Sequence, residues 1–284
     1  MAPYDSVQHL KSMKSLNIAD MYSVKGKVCL VTGGSRGIGM MIAKGFVENG
    51  AKVYVASRKK EVCDQVAAEL NKIGPGTAVV IAANLTSDEA CKALATEIGK
   101  MEDKLDVLVN NAGATWGDSF DDFPEAAWER VFTLNVYSIW HLTRAFTPML
   151  RKASNGNLDP AHVINVSSVG GAFGVDSPFS NNPSYLTSKA ACNKLTKTLA
   201  AYLVKDGINV NCIGPGVFES KMTFDYQLKD DELADIANKS YPVGRYGNET
   251  DMASLAIYLS SKASAFMTGG IFYLDGGSLS ISRM

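Results

Sequence analysis

Short apolar runs alternate with longer stretches of helical periodicity along the chain from residue 26 onward. The short runs are rich in Val and Ile and show no polar alternation, which is typical of parallel strands buried on both faces. They predict seven strands, at 27–32, 52–56, 78–82, 106–110, 162–166, 207–212 and 270–274. The amphipathic stretches between them predict helices at 38–49, 60–73, 87–102, 125–152, 184–204 and 249–261.

This alternation predicts an α/β fold, a single doubly wound domain of the Rossmann type with about seven parallel strands and helices on both faces. No repeat, low-complexity tract or linker interrupts the pattern, so we expect one domain over residues 25–284. Residues 1–24 are expected to form an N-terminal arm. The apolar segment 217–240 is interpreted as an excursion that covers a ligand pocket as a lid, with a surface helical hairpin as the alternative.

Charge and composition exclude several classes of protein. The chain of 284 residues carries 28 basic and 29 acidic side chains, so neither a nucleic acid nor a membrane surface is an expected partner. No apolar run approaches the length of a membrane span, and residues 1–24 lack the features of a signal peptide. Five cysteines without a C-x-x-C pair and three scattered histidines favour neither a disulfide scaffold nor a metal site. We therefore expect a cytoplasmic protein that binds a small molecule.

A glycine-rich segment follows the first predicted strand directly and opens the first long helix. The strand, the turn and the helix start together aim backbone N–H groups and the positive helix end at a pyrophosphate. Glycine is needed wherever a side chain would block that approach. The segment therefore predicts a dinucleotide site that includes Gly33, Ser35, Arg36, Gly37, Ile38 and Gly39.

The end of the second predicted strand indicates which dinucleotide is bound. An acidic residue about 20 positions after the glycine loop holds the ribose 2′-hydroxyl of NAD. Here the strand ends in Ser57 and Arg58, followed by two lysines, and no carboxylate is present. The Arg58 guanidinium can pair with a 2′-phosphate, and Arg36 adds a second positive charge. The segment therefore favours NADPH over NADH.

Tyr185 and Lys189 lie four residues apart in a predicted helix. On one helix face the Lys189 ammonium would favour the ionised form of the Tyr185 phenol, which would make that phenol a useful general acid or base. The same spacing is also typical of a solvated helix face. The pair alone therefore leaves both interpretations open.

From Gly26 to Gly277 the chain resembles the short-chain dehydrogenase/reductase family. Its markers occur in family order: Thr32-Gly-x-x-x-Gly-Ile-Gly39, Asn110-Asn-Ala-Gly113, Leu-Asn135-Val, Asn165-Val-Ser-Ser168, Tyr185-x-x-x-Lys189, Asn211-x-Ile-x-Pro-Gly216 and Asp275-Gly-Gly277.

The resemblance implies that Tyr185 gives a proton to a substrate carbonyl oxygen while nicotinamide delivers hydride to its carbon. It implies that Ser168 orients the oxygen, that Lys189 lowers the pKa of Tyr185 and binds the nicotinamide ribose, and that Asn135 holds a proton-relaying water. It also implies further cofactor contacts at Asn84, Leu85, Asn111, Gly113, Pro215, Gly216, Phe218 and Ser220.

Two departures from the family pattern bear on the ligands. Asn84 stands where the family usually has an acidic residue that meets the adenine amino group, and its amide oxygen can still accept that hydrogen bond. The stretch between Ser168 and Tyr185 is longer than in most members and is expected to reshape the substrate pocket. Trp116, Phe173 and Phe179 are the pocket candidates, and their aromatic character favours an apolar or bulky ketone.

Within the family, the segments Gly214–Thr223 and Pro242–Gly247 are similar to rhamnolipid-type 3-oxoacyl reductases and to fungal NADPH-dependent carbonyl reductases. The resemblance thus implies an NADPH-dependent carbonyl reductase that acts on a ketone or a 3-oxoacyl thioester. An alcohol dehydrogenase running in the oxidative direction and a catalytically silent cofactor sensor are the alternatives. The family is commonly tetrameric through the helices predicted at 125–152 and 184–204, so a homotetramer is expected.

Overall fold

The centre of the protein is a seven-stranded parallel sheet with the strand order β3-β2-β1-β4-β5-β6-β7. The computed structural model describes residues 6, 16–156, 158–172, 181–218 and 241–280. The strands are β1 Val28–Thr32, β2 Lys52–Ser57, β3 Thr77–Ala82, β4 Val107–Asn110, β5 Ala161–Val166, β6 Ile208–Pro215 and β7 Ile271–Leu274. The predicted α/β fold of the Rossmann type is confirmed.

Helices cover both faces of this sheet. The α-helices are α1 Ile18–Met21, α2 Gly37–Glu48, α3 Lys60–Ile73, α4 Asp88–Gly99, α5 Glu125–Phe132, α6 Ser138–Ala153, α7 Pro183–Leu203 and α8 Glu249–Leu259. Single 3-10 turns lie at Val169–Gly171, Val204–Asp206 and Lys262–Ser264.

Two apolar layers sandwich the sheet. On one face, α2 and α8 pack together and bury side chains such as Phe46 and Met252, which are fully inaccessible to solvent. On the other face, α4, α6 and α7 bury Ile98, Phe146 and Leu199. Because β1, β4, β5 and β6 are buried along their whole length, the apolar runs of these strands lack polar alternation.

The strand order reverses beside β1, which pairs with β2 on one side and with β4 on the other. The loops after β1 and β4 therefore run to opposite sides of the sheet and leave a crevice at its carboxyl edge. In open α/β sheets this crevice is where ligands bind. Most of the predicted site residues lie along this edge.

The predicted helix at 125–152 is interrupted in the structure. A π-helical turn, Thr133–Tyr137, separates α5 from α6. Such a turn adds a residue to the helical repeat and changes which side chains face inward. Here it places Asn135 in the interior, where only 1% of its surface is exposed. The interruption was not predicted, because the amphipathic pattern continues through it.

Residues 16–24 lie against the C-terminal part of the domain. The Tyr22 ring packs 5.8 Å from the ring of Tyr258, and Val24 is 1% exposed within the core. The boundary of the N-terminal arm at residue 24 stays a prediction. Within the described ranges, none of the helices combines the length and apolar composition needed to cross a membrane.

Candidate active site

The turn after β1 requires glycine at several positions. Gly33 and Gly37 have φ angles of 65° and 50°, in the left-handed region that favours glycine. At Gly39 an added Cβ would overlap the Asn111 amide nitrogen and the Gly33 carbonyl oxygen. The loop can therefore adopt this path only without side chains at these positions, and its backbone is left accessible to a ligand.

The amino end of α2 retains unused hydrogen-bond donors. Its N-cap is Arg36, whose side chain makes no capping hydrogen bond, and the first helical turn contains no acidic residue. The helix bonds begin with the N–H of Met40, which donates to the Arg36 carbonyl over 3.2 Å. The N–H groups of Ile38 and Gly39 have no acceptor among the described residues, so this end can bind an anion. Ser35, just before it, is buried.

Two arginines lie at the carboxyl ends of β1 and β2. The Gly33 N–H donates to the Ala56 carbonyl over 2.7 Å, which brings the two strand ends together. Arg36 and Arg58 are exposed, and neither forms an ion pair with a carboxylate of the described chain. Lys60, by contrast, is paired with Asp64 at 2.8 Å. The two guanidinium groups therefore remain available for a phosphate.

The residues after β3 complete this half of the site. Ser57 at the end of β2 accepts a hydrogen bond from the Ala83 N–H over 3.0 Å, which places Asn84 beside it. Asn84 is exposed and can reach a ligand. The Leu85 side chain is 5% exposed and packs in the core. Any contact of Leu85 with a cofactor must therefore come from its backbone.

Thr32 and Asn111 join β1 to β4 at the base of the crevice. The Asn111 side chain donates to the carbonyl oxygens of Thr32 and Gly33, over 2.9 and 3.3 Å. The Thr32 hydroxyl donates to the Val109 carbonyl and accepts from the N–H groups of Asn111 and Ala112. Sequence reasoning missed this role of Thr32. Its only signal was a hydroxyl at the end of an otherwise apolar strand.

Lys189 is buried beside Tyr185 on α7. Lys189 is only 6% exposed, and its Nζ lies 5.5 Å from the centroid of the Tyr185 ring. Nζ donates a hydrogen bond to the Val166 carbonyl at the end of β5, over 2.8 Å. No carboxylate of the described chain lies within 4.0 Å of it. The alternative of a solvated helix face is therefore wrong for Lys189.

The two serines after β5 have different environments. Ser167 is buried and donates to the Lys189 carbonyl over 3.0 Å. Ser168 is half-buried, and its Oγ accepts from the Gly170 N–H over 3.1 Å, which leaves its own proton for another acceptor. A Cβ added to Gly170 would lie 3.4 Å from Ser168 Oγ and 3.8 Å from a ring carbon of Tyr185. Ser168 and the Tyr185 ring therefore both lie beside Gly170.

Asn135 links the loop after β4 to α7. Its Oδ1 accepts from the Ala114 N–H over 2.8 Å, and its Nδ2 donates to the Ala114 carbonyl over 2.9 Å. Nδ2 also donates to Ser188, whose hydroxyl donates to the Tyr185 carbonyl over 2.7 Å. Gly113, in the same loop, is exposed, and a Cβ there would lie 3.0 Å from Asn135 Oδ1. The structure thus assigns Asn135 a bridging position.

Trp116 and the end of β6 are the described parts of the predicted substrate side. The half-buried Trp116 ring lies 5.7 Å from the Arg130 guanidinium, in a loop that contacts the start of α7 through the Asp118 N–H and the Asn181 carbonyl. Pro215 and Gly216 lie at the end of β6, and the Phe218 side chain is buried against Gly247. Three predicted site residues, Phe173, Phe179 and Ser220, lie outside the described residues, as does the segment 219–240 of the predicted lid.

Histidine and acidic side chains form no separate centre in the described part of the chain. No group of three or more His, Cys, Asp or Glu residues there could hold a metal ion. His162 on β5 is 1% exposed, and neither ring nitrogen has a hydrogen-bond partner. Burial lowers the pKa of His162 to about 3, so its ring is neutral at physiological pH.

Comparison with known proteins identifies the family of the chain. A family model described as enoyl-(acyl carrier protein) reductase matches residues 33–278. The chain belongs to the short-chain dehydrogenase/reductase family, as the sequence motifs predicted. Among its relatives is a rhamnolipids biosynthesis 3-oxoacyl-[acyl-carrier-protein] reductase from Pseudomonas aeruginosa. The two are 41% identical over 256 residues, covering 90% of this chain and 97% of the relative.

Two further similarities concern a fungal relative and a solved structure. The short-chain dehydrogenase/reductase PhomF from Diaporthe leptostromiformis is 34% identical over 286 residues, covering 94% of this chain and 96% of PhomF. The Pseudomonas aeruginosa RhlG/NADP active-site complex has a TM-score of 0.84 and 40% identity, covering 91% of this chain and 98% of that structure.

Proposed function

We propose that the protein is an NADPH-dependent reductase that converts a ketone into a secondary alcohol. The observation that carries the proposal is the buried Lys189 ammonium beside the Tyr185 phenol, on the same edge of the sheet as the glycine-rich turn. A buried cation is costly without a partner, so its retention favours a function in which negative charge develops next to it.

The described residues fit an NADPH molecule. The turn from Gly33 to Gly39 leaves backbone donors for a pyrophosphate. Arg36 and Arg58, which pair with no carboxylate of the described residues, suit the 2′-phosphate. The RhlG structure, which contains NADP, supports this choice of cofactor. Asn84 would accept from the adenine, and the end of β6 would border the nicotinamide. Bound NADPH would supply a hydride to the carbonyl carbon.

In this mechanism the chain supplies the proton and stabilises charge on the carbonyl oxygen. The Tyr185 phenol gives its proton to that oxygen, and the Ser168 hydroxyl donates a hydrogen bond to the same atom. Both residues lie beside Gly170 in the described structure, so little reorganisation would be needed as negative charge develops. The Lys189 ammonium then stabilises the Tyr185 phenolate that remains.

Lys189 retains hydrogen-bonding capacity for this task. An ammonium has three protons, and the described contacts use one of them, on the Val166 carbonyl. That bond fixes Nζ, while the other protons can serve the Tyr185 oxygen and a ribose hydroxyl. Asn135 would hold α7 in register through Ser188, and its Oδ1 could accept a further hydrogen bond from a water that relays protons to Lys189.

For the substrate we propose an apolar or bulky ketone or a 3-oxoacyl thioester. The name of the Pseudomonas aeruginosa relative supports the thioester. Trp116 on the loop after β4 supports an apolar pocket.

We also propose a homotetramer through α5, α6 and α7, supported by the exposed Tyr137 and Trp140 near the start of α6. Light scattering of the purified protein tests that assembly.

The catalytic proposal is tested by Tyr185→Phe. NADPH oxidation is measured with an acetoacetyl thioester and with a bulky aryl ketone, and NADPH binding is measured separately. Removal of a general acid should lower kcat by about 100-fold or more while NADPH still binds. Unchanged turnover in the variant would refute the mechanism, and the better of the two substrates for the native protein decides between the substrate classes.

A further inference from the structure

The chain leaves β6 through a short segment, Pro215–Phe218, at the proposed nicotinamide end of the site. Hydrogen bonds from separate parts of the described chain hold this segment. The Gly216 N–H donates to the Leu274 carbonyl over 2.9 Å, and the Val217 carbonyl accepts from the Gly247 N–H over 3.1 Å. The third bond is different, because the Val217 N–H donates to a side chain, the hydroxyl of Tyr241, over 3.1 Å.

Tyr241 is itself firmly positioned. It is 8% exposed, its ring packs edge-on against the Tyr246 ring at 5.7 Å, and its carbonyl closes a turn by accepting from the Gly244 N–H over 2.8 Å. A Cβ on Gly216 would lie 3.1 Å from a Tyr241 ring carbon. The ring therefore supports Gly216 while its hydroxyl holds Val217.

Packing holds the two ends of this segment but leaves space beside it. A cavity of about 200 Å³ lies there, and its lining includes Gly216, Val217, Phe218, Tyr241 and Asp275. Such space gives the backbone between the packed ends room to shift if one of its hydrogen bonds is lost. The position of Val217 therefore depends strongly on the Tyr241 hydroxyl.

We propose that Tyr241 is a positioning residue for the nicotinamide half of the cofactor site, acting through the backbone of Gly216, Val217 and Phe218. The inference rests on the proposed function, because it assumes that this segment borders nicotinamide. The adenosine half of the site is built by the ends of β1 and β2, far from Tyr241 along the sheet edge. Loss of the Tyr241 hydroxyl should therefore affect one half of the cofactor and not the other.

The test is the variant Tyr241→Phe, which keeps the ring and removes only the hydroxyl. Kd is measured for NADPH and for the fragment 2′,5′-ADP, which lacks nicotinamide, and the melting temperature is recorded. Loss of one neutral hydrogen bond should raise the NADPH Kd by about threefold to tenfold and leave the 2′,5′-ADP Kd unchanged.

The matched control is Tyr246→Phe. The Tyr246 ring packs against Tyr241, but its hydroxyl accepts no hydrogen bond from the described segment Pro215–Phe218. This control should change neither Kd.

Equal affinities of the native protein and Tyr241→Phe for NADPH would overturn the inference. So would a parallel loss of 2′,5′-ADP binding, since that result indicates a general structural role. A native protein that binds neither NADPH nor 2′,5′-ADP would instead refute the proposed function itself. A rise in NADPH Kd for Tyr241→Phe alone, with 2′,5′-ADP binding intact, supports the positioning role.

Discussion

The two halves of the candidate site are built by different means. Around β1 and β2 the candidate site offers exposed groups: a glycine turn, an open helix end and two arginine side chains. Around β5 and α7 it offers buried side chains, among which Lys189 and Asn135 have fixed hydrogen-bond partners. Binding a phosphate needs accessible donors and positive charge, whereas moving a proton needs groups held in one geometry. The contrast predicts that substitutions in the two halves have separable effects.

The largest effect is expected from Lys189→Met, which removes the buried ammonium. Because the Tyr185 phenolate then loses its stabilising charge, kcat should fall by about 100-fold or more. Steady-state kinetics with NADPH and a reducible ketone measure this change. The control is Lys194→Met, at an exposed position of the same helix, which should behave like the native protein. Comparable losses in both variants would contradict a specific role of the Lys189 ammonium.

A smaller effect on turnover but a large effect on binding is expected from Gly39→Ala. Alanine is favoured over glycine in a helix by about 1 kcal/mol, yet here its Cβ would collide with Asn111 and the Gly33 carbonyl. The displaced turn should raise the NADPH Kd by about tenfold or more, equivalent to about 1.4 kcal/mol. Isothermal titration checks this value.

Gly45→Ala is the matched control for Gly39→Ala, because Gly45 lies in the same helix α2 but away from the turn, and its Cβ would meet the Ala253 side chain of α8. It should lower the melting temperature without weakening NADPH binding. If Gly45→Ala weakened binding as much as Gly39→Ala, the turn geometry would not be the cause.

A moderate effect is expected from Arg58→Gln. Loss of one charge-assisted hydrogen bond to the 2′-phosphate should weaken NADPH binding by about tenfold and leave NADH binding nearly unchanged. The ratio of the two Kd values is the measurement. Lys60→Gln is the control, since Lys60 is already paired with Asp64. An unchanged ratio for Arg58→Gln would show that another group selects the phosphate.

The smallest effect on turnover and binding concerns His162, which lies near the start of β5, the strand that leads into Ser168. Its pKa is about 3 in the folded protein and near 6.5 when unfolded, so the unfolded state binds more protons as pH falls. The contribution of neutral His162 to the free energy of unfolding is therefore fully present above about pH 6.5. It is lost towards pH 3, by at most about 1.4 kcal/mol per pH unit. Urea unfolding of His162→Leu between pH 7 and 4 should show a shallower decline. An identical decline would assign the acid sensitivity to other groups.

The sequence predicted the fold well where burial controls the pattern. Strands such as β4 and β5 are apolar throughout because helices cover both faces, and their bounds were correct to within about one residue. Strand β6 extends to Pro215, beyond the predicted end at residue 212, because Gly214 and Pro215 look like a turn although they pair with β7.

Side-chain partners that lie far apart in sequence could not be predicted in this way. Motifs named Asn135 and Lys189, but nothing in the sequence indicates that Asn135 bonds to Ser188 or that Lys189 bonds to the Val166 carbonyl. Tyr241 gave no signal at all, since its partner is a backbone N–H that any residue provides. Tertiary contacts decide these roles, and such contacts cannot be predicted from the local sequence pattern.

The central position of β1 also has a consequence for folding. Its Thr32 hydroxyl bonds to a carbonyl 77 residues later in the chain, and Asn135 bonds to a serine 53 residues later. Contacts between such distant residues form slowly, because a long loop must close before they stabilise the protein. During synthesis from the N-terminus, the glycine turn therefore emerges long before the strand that fixes it. We expect this edge of the sheet to acquire its final geometry only after β4 has docked, and the proton-transfer half to follow later still.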